Sequence, residues 1–198
     1  NPLVLFGASQ AIFFALFTAN GAATSVMEER NNGTLQRLLV SPTPRLTVML
    51  GKMTATFVTV LAQLTLLFVA FTLVGSLLAG ELQFIWGQNL PGIALIMVTT
   101  ALATTGLGSI IAAIARTPDQ SSTIGSVISI VSAVFGGAFG FQIGAPFSYF
   151  SVIYWGTDAF TKLASGQTDY ALNALVLLVF GATAFTISLV VFNRRMAQ

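Results

Sequence analysis

The residues best suited to contact something in water are gathered in one short stretch, residues 28–45, between two long apolar runs. The 198 residues include only 8 Lys and Arg and 6 Asp and Glu. Five of these charged residues lie in that stretch: Glu28, Glu29, Arg30, Arg37 and Arg45. A chain with so few charges that places them in one loop is expected to use that loop for binding.

The side chains that most enzymes use for catalysis are missing. The sequence has no Cys and no His, which excludes disulfides, thiolate nucleophiles, a histidine base and most zinc sites. Ser and Thr are numerous, but no base stands ready to activate them. Gly51-Lys52 is not a phosphate-binding loop, because Leu46 and Met53 occupy the positions that such a loop gives to Gly and to Ser or Thr. We therefore expect no catalytic residue, no metal site and no bound cofactor on this chain.

The composition is that of a membrane protein. Hydrophobic residues make up 55% of the chain, charged residues 7%, and the mean hydropathy is +0.87. A soluble domain carries about 25% charged residues, so the solvent of this chain must be lipid. The net charge of +2 and the 17 Phe, without clustered Lys or Arg, do not indicate nucleic acid. We predict an all-α, polytopic integral membrane helical bundle.

Charge-free stretches of about 20 residues predict transmembrane helices, because a helix rises about 1.5 Å per residue through a core of about 30 Å. Five such spans are expected, at 3–27, 53–80, 92–115, 126–143 and 171–192. Residues 144–170 are too interrupted to span and predict broken interfacial or re-entrant helices. Tyr149, Tyr154 and Trp155 in that segment suit the membrane–water boundary.

The distribution of basic residues predicts the orientation. Five spans place seven basic residues on one side and Lys162 on the other: Arg30, Arg37, Arg45, Lys52, Arg116, Arg194 and Arg195. The positive-inside bias makes the former side cytoplasmic, together with the C-terminus and residues 28–45. Segment 144–170 is then external.

The polar stretch predicts a helix, a sharp turn and a second short helix. Glu28 and Glu29 oppose the dipole of a helix that ends beside them, so the helix is expected to continue to Asn31 and Asn32. Gly33 suits the left-handed residue that ends a helix, and Thr34 suits an N-cap. Leu35, Leu38 and Leu39 then line one face of an amphipathic helix. From physics alone, this element either anchors the loop to lipid headgroups or docks a cytoplasmic partner.

Here the sequence resembles the type-2 exporter permeases of ATP-binding-cassette transporters. Residues 29–39, ERNNGTLQRLL, are followed by Ser41-Pro42 and by Gly51-Lys52 at the start of the next span, in the order and spacing of that family's signature. The resemblance extends to the short polar loop at 116–119, a Gly-rich penultimate span, the long external loop and the terminal Arg194-Arg195.

The resemblance implies a coupling helix that sits in a groove of a separate ATPase subunit, which binds ATP and Mg. Glu29 and Arg30 would fix the elbow by ion pairing, while Gly33 and Thr34 would form the turn and cap. The residues facing the ATPase would be Leu35, Arg37 and Leu38. The family also implies six spans, and a second permease copy or homologue as dimer partner. Because the sequence begins at Asn1 within an apolar run, we expect a longer polypeptide whose first span and external segment precede it.

A ladder of glycines falls in the fourth predicted span. Gly136, Gly140 and Gly144 follow one another at every fourth position, the spacing that lets membrane helices approach closely. We expect them to serve helix packing, with a lining of the transport path or a permease–permease contact as the alternative.

Three hypotheses of function follow. The leading one is a permease subunit of an ATP-driven exporter in the bacterial inner membrane, working by alternating access and not itself an enzyme. The second is an exporter-like subunit that serves as a structural component of a larger complex without ATPase. An ion-coupled carrier is disfavoured, because no ionisable residue lies near the centre of a predicted span. The sequence leaves the substrate open.

Overall fold

The computed structural model describes residues 2–33, 45–82, 84–141 and 143–196. These residues form six α-helices and one short 3-10 helix at Phe147–Phe150: α1 (Pro2–Asn31), α2 (Arg45–Ala79), α3 (Leu90–Ile114), α4 (Pro118–Gly136), α5 (Val152–Ala164) and α6 (Ala171–Met196). No strand occurs among them. The helical fold class predicted from composition is confirmed.

Within the described ranges, four helices are long and apolar enough to cross a membrane. These segments are Pro2–Glu29, Thr47–Ala79, Leu90–Ile114 and Ala171–Val191. They overlap the first, second, third and fifth predicted spans. The chain is therefore a multi-pass membrane protein, while the count of five spans stays a prediction.

The fourth predicted span, 126–143, differs from the helix that the structure has there. α4 begins eight residues earlier, at Pro118, and ends at Gly136. The hydroxyl of Thr117 accepts a hydrogen bond from the backbone N–H of Gln120 at 3.1 Å and so caps this start. A Thr cap and a proline in the first turn both favour helix initiation. The polar break expected between the third and fourth spans is thus largely the capped start of α4.

α1 lies at the centre of the bundle, where it packs against α2, α3, α4 and α5. Small side chains make this possible, since Ala8, Ala11 and Ala15 are fully buried. On α3, a Cβ added to Gly108 would lie 2.7 Å from the carbonyl oxygen of Ala19. Small residues at such contacts let helix backbones approach closely in lipid. A displacement of α1 would therefore be felt by four neighbouring helices.

α5 is embedded in the bundle and does not lie on its surface. Ser151 caps its start and donates a hydrogen bond to the carbonyl oxygen of Ser132, in α4, at 2.7 Å. Its far end meets the segment before α3, where a Cβ on Gly87 would lie 2.3 Å from the carbonyl oxygen of Leu163. Phe160 between them is fully buried. The broken helices predicted for residues 144–170 are present, and α5 rises through the core.

The connection between α2 and α3 is held by a tryptophan. Trp86 is buried and stacks on Phe68, with ring centroids 4.0 Å apart. Its indole N–H donates to the hydroxyl of Thr72 at 2.9 Å, so the polar end of the ring is satisfied. The Trp86 contacts therefore hold the connection between α2 and α3 in place next to the end of α5.

Candidate functional site

The C-terminal end of α1 forms the elbow expected from the sequence. The backbone N–H of Asn32 donates to the carbonyl oxygen of Glu28 at 2.9 Å, which closes the last turn. Gly33 follows with φ of 71°, in the left-handed region that glycine adopts without strain. The helix end and its turning residue therefore have the geometry that the dipole argument required.

An ion pair ties this elbow to the next helix. Lys52 of α2 donates to a carboxylate oxygen of Glu29 on α1. The pair spans the base of segment 34–44, so the helix entering the segment and the helix leaving it are linked to each other. The ammonium group of Lys52 is thus directed at Glu29.

The predicted ion pair between Glu29 and Arg30 stays a prediction, because the Arg30 side chain lies outside the described part of the structure. The other four residues assigned to the coupling helix, Thr34, Leu35, Arg37 and Leu38, lie outside the described residues altogether. The short amphipathic helix and its ATPase-facing side chains therefore stay predictions.

The glycine ladder does not form a single packing face. A Cβ on Gly136 would lie 2.5 Å from the Cβ of Ile153, so this glycine permits the close approach of α4 and α5. α4 ends at that residue, because Gly137 takes a left-handed conformation with φ of 82°. Gly140 and Gly144 come after the helix, are exposed, and have no described atom within 4 Å of an added Cβ. Within the described part of this chain Gly140 and Gly144 therefore pack against no helix, and the alternative of a permease–permease contact stays a prediction.

A second polar cluster, not anticipated from the sequence, joins α5 to α6. The fully buried side-chain amide of Asn173 donates to a carboxylate oxygen of Asp158 at 2.9 Å and to the carbonyl oxygen of Trp155 at 3.0 Å. Its amide oxygen accepts from Lys162 at 3.1 Å, and Lys162 pairs with Asp158 at 2.8 Å. The Asn173 amide therefore donates to one member of the Asp158–Lys162 ion pair and accepts from the other.

Tyr154 borders this cluster. Burial raises the pKa of its hydroxyl, and the nearby Asp158 carboxylate and Tyr149 raise that pKa further against a lowering effect of Lys162. The phenol is therefore neutral at physiological pH, and the cluster contains one formal pair of opposite charges.

Two contacts that were not predicted from the sequence involve single Asn or Gln side chains within the apolar runs. Gln10 of α1 donates to the carbonyl oxygen of Ala138 at 2.8 Å and holds the segment that follows α4. Asn20, also on α1, fills the space beside Gly125, where an added Cβ would lie 1.8 Å from its amide oxygen. A lone Asn or Gln in a membrane helix is costly without a partner, which is why such residues mark helix contacts.

Comparison with known proteins places the chain among transporters. The family model described as ABC-2 family transporter protein matches residues 4–190. The chain is also 29% identical, over 190 residues, to the linearmycin resistance permease protein LnrN of Bacillus subtilis (strain 168). That alignment covers 90% of this chain and 46% of the relative, so the chain spans less than half of the relative's length.

Proposed function

The chain belongs to the ABC-2 family of transporter proteins, and on that premise we propose that it is a permease subunit of an ATP-driven exporter. Members of the family are membrane subunits for transport and generally work with an ATP-binding subunit. ATP, with Mg, binds and is hydrolysed on that partner. The permease converts the partner's motion into alternating access for a substrate.

The observation that carries the proposal is the linked elbow. Helix α1 leads into segment 34–44 through the left-handed turn at Gly33, and α2 leads out of it. The Lys52–Glu29 ion pair connects these two helices. A force applied to that segment acts on both arms together, because the pair resists their separation. A lipid-anchoring loop does not require such a link.

The central position of α1 supports transmission of that force. α1 contacts α2, α3, α4 and α5, and its contact with α3 at Gly108 is backbone against backbone. Close contacts of this kind shift between discrete arrangements and do not deform gradually. A tilt of α1 at its cytoplasmic end would move α5, whose far end reaches the opposite side of the bundle.

In this proposal the predicted coupling helix sits in a groove of the ATPase. Thr34 caps it, and Leu35, Arg37 and Leu38 face the partner. Arg30 assists Glu29 at the elbow. The residues of this helix supply apolar contact and one cation, which suits a partner groove with an acidic rim.

The wider setting is a bacterial inner membrane, with the C-terminus in the cytoplasm and a second permease copy or homologue completing the path. The bias of basic residues supports this orientation. The relative is named for resistance to linearmycin, which supports outward transport of a harmful compound. We therefore propose a substrate that is harmful to the cell that exports it.

Site-directed cross-linking tests the proposal. Because the 198 residues contain no cysteine, Arg37→Cys introduces a single thiol to which a photoactivatable cross-linker can be attached. Illumination in membranes should yield an adduct with a subunit that carries a phosphate-binding loop, with a yield that changes on ATP binding. Gly166→Cys, in the predicted external loop, is the control and should give no such adduct. A stoichiometric adduct with a protein that is not an ATPase would instead establish the scaffold function.

A further inference from the structure

A groove lies beneath α2, on a floor formed by α1 and α3 at one end and by α3 and α6 at the other. It consists of two adjoining hollows of about 50 Å³ and about 230 Å³, and Met53 and Thr105 line both. Both hollows lie at the same level of α2, but the first is nearer the cytoplasmic ends of α1 and α3 and the second is nearer the middle of α3 and α6. The two hollows therefore form one elongated surface.

The groove is apolar, and its shape comes from small side chains on the floor. Its deeper hollow is walled by Leu50, Phe57, Leu102 and Phe185. Toward the cytoplasm the floor is made of Ala22, Ala23, Gly108, Ala112 and Ala113. Large side chains at the edges and small ones at the base are what an extended hydrocarbon chain needs.

The length of the groove matches one leaflet. The α3 residues that line it run from Leu102 to Ala113, which at 1.5 Å per residue is about 16 Å. Half of a hydrocarbon core of about 30 Å is about 15 Å. A groove that starts at the cytoplasmic end of the spans therefore accommodates one acyl chain of the cytoplasmic leaflet.

Two opposite charges lie at the cytoplasmic hollow: Lys52, which lines it, and Glu29, which pairs with Lys52. Lys52 lines the cytoplasmic hollow, and its side chain is 28% exposed, while that of its partner Glu29 is 41% exposed. Both groups therefore retain surface for a further contact. A cation and an anion side by side complement a headgroup that carries a phosphate and an ammonium group, because each can form a charge-assisted hydrogen bond with its opposite.

We propose that this groove is a binding site for one phospholipid of the cytoplasmic leaflet with a phosphoethanolamine headgroup. One acyl chain lies along α3 beneath α2, with α1 beside its cytoplasmic part and α6 beside its deeper part. Lys52 holds the phosphate and Glu29 the ammonium group. The site needs the membrane and the orientation of the chain, and it does not rest on ATP-driven export.

Photolabelling with a phosphatidylethanolamine that carries a diazirine on one acyl chain tests the site. The protein is labelled in its membrane with its natural partners present, and the labelled peptides are mapped by mass spectrometry. Labelling should be several-fold higher around Met53 and Leu102 than around Leu77, which is 81% exposed on the outer face of α2. Equal labelling of the groove and that face would overturn the proposal.

Two tryptophan variants give a matched comparison. Ala112→Trp fills the half-buried floor of the cytoplasmic hollow and should reduce groove labelling to the level seen around Leu77. Ala182→Trp adds the same bulk to an exposed position of α6 outside the groove and should leave groove labelling unchanged. Retained labelling in Ala112→Trp, with normal membrane insertion, would contradict the acyl-chain position.

The headgroup assignment has its own test, with the same photoreactive chain carried on phosphatidylglycerol. The unaltered protein should label several-fold more with phosphatidylethanolamine, and Glu29→Gln should abolish that preference. Lys52→Gln should reduce labelling by both lipids. Equal labelling of the unaltered protein by both lipids would contradict the assignment of a zwitterionic headgroup to this site.

Discussion

Lys52 and Glu29 join α2 to α1 across the base of segment 34–44, although 22 residues separate them in the chain. Both side chains are partly exposed, so the pair contributes no more than about 1 kcal/mol to folding. Its position is the more informative property, because it connects the ends of two helices on either side of this segment. The consequences for transport can therefore be separated from those for stability.

Reversing one charge of this pair should reduce transport without preventing insertion. Lys52→Glu places two carboxylates together and pushes the helix ends apart, so export should fall several-fold while ATPase activity of the complex persists. The double variant Glu29→Lys/Lys52→Glu restores opposite charges and should recover most of the export. Export and ATP hydrolysis are measured together in proteoliposomes. Full export by Lys52→Glu would exclude the link as a mechanical element.

A side chain at Gly33 should uncouple the permease. Gly33→Val forces a β-branched residue into φ of 71°, at a cost of about 1–2 kcal/mol, and the elbow should change direction. Gly166→Val meets the same strain, since Gly166 has φ of 73° and also has open space around it. ATP hydrolysis should continue in both variants and transport should be lost only in the first. Equal transport by the two variants would show that the elbow geometry is not needed.

Gly136 and Gly144 should respond differently to the same substitution. Gly136→Val drives a side chain into Ile153 and should destabilise the contact of α4 with α5 by about 1–3 kcal/mol. Gly144→Val enters open space at an ordinary φ and should be tolerated. Thermal unfolding of the purified protein in detergent measures both. A loss of stability at Gly144 comparable with that at Gly136 would restore the ladder as a packing face.

Asn173 should be a sensitive polar residue of the contact between α5 and α6. Asn173→Leu leaves the Asp158–Lys162 pair and the carbonyl of Trp155 without their shared partner, a loss of about 1–3 kcal/mol. Thr186→Ala, on the same helix, removes an exposed hydroxyl that bonds only locally to the carbonyl of Ala182 and serves as control. The expected result is a lower midpoint of thermal unfolding for the first variant alone. A change within the scatter of the control would show that α5 is held by apolar contacts.

Much of the fold can be predicted from local properties of the sequence, namely hydropathy, charge and backbone preference over a few neighbouring residues. The apolar composition, the charge-free runs and the basic residues at one end of these runs were enough to predict a helical membrane bundle. The turn at Gly33 was predictable for the same reason, because a left-handed helix end depends on the local backbone and on the dipole of one helix.

The errors concern the two ends of α4, and the omissions concern contacts between residues distant in the chain. The ladder from Gly136 to Gly144 has the right spacing for one helix face, but Gly137 ends the helix and leaves the later glycines outside it. Similarly, residues 116–119 were predicted to be a polar loop, but the cap at Thr117 starts α4 at Pro118.

The sequence by itself determined that this protein crosses a membrane as helices, that most of its few charges lie outside the apolar crossing segments, and that the chain turns at Gly33. Only the tertiary structure decided that Lys52 meets Glu29, that Asn173 holds Asp158 and Lys162, and that α5 is buried beside Gly136. The physical reason is that hydropathy and backbone preference act over a few residues, whereas partners are chosen by the packing of helices that bring distant residues within bonding distance.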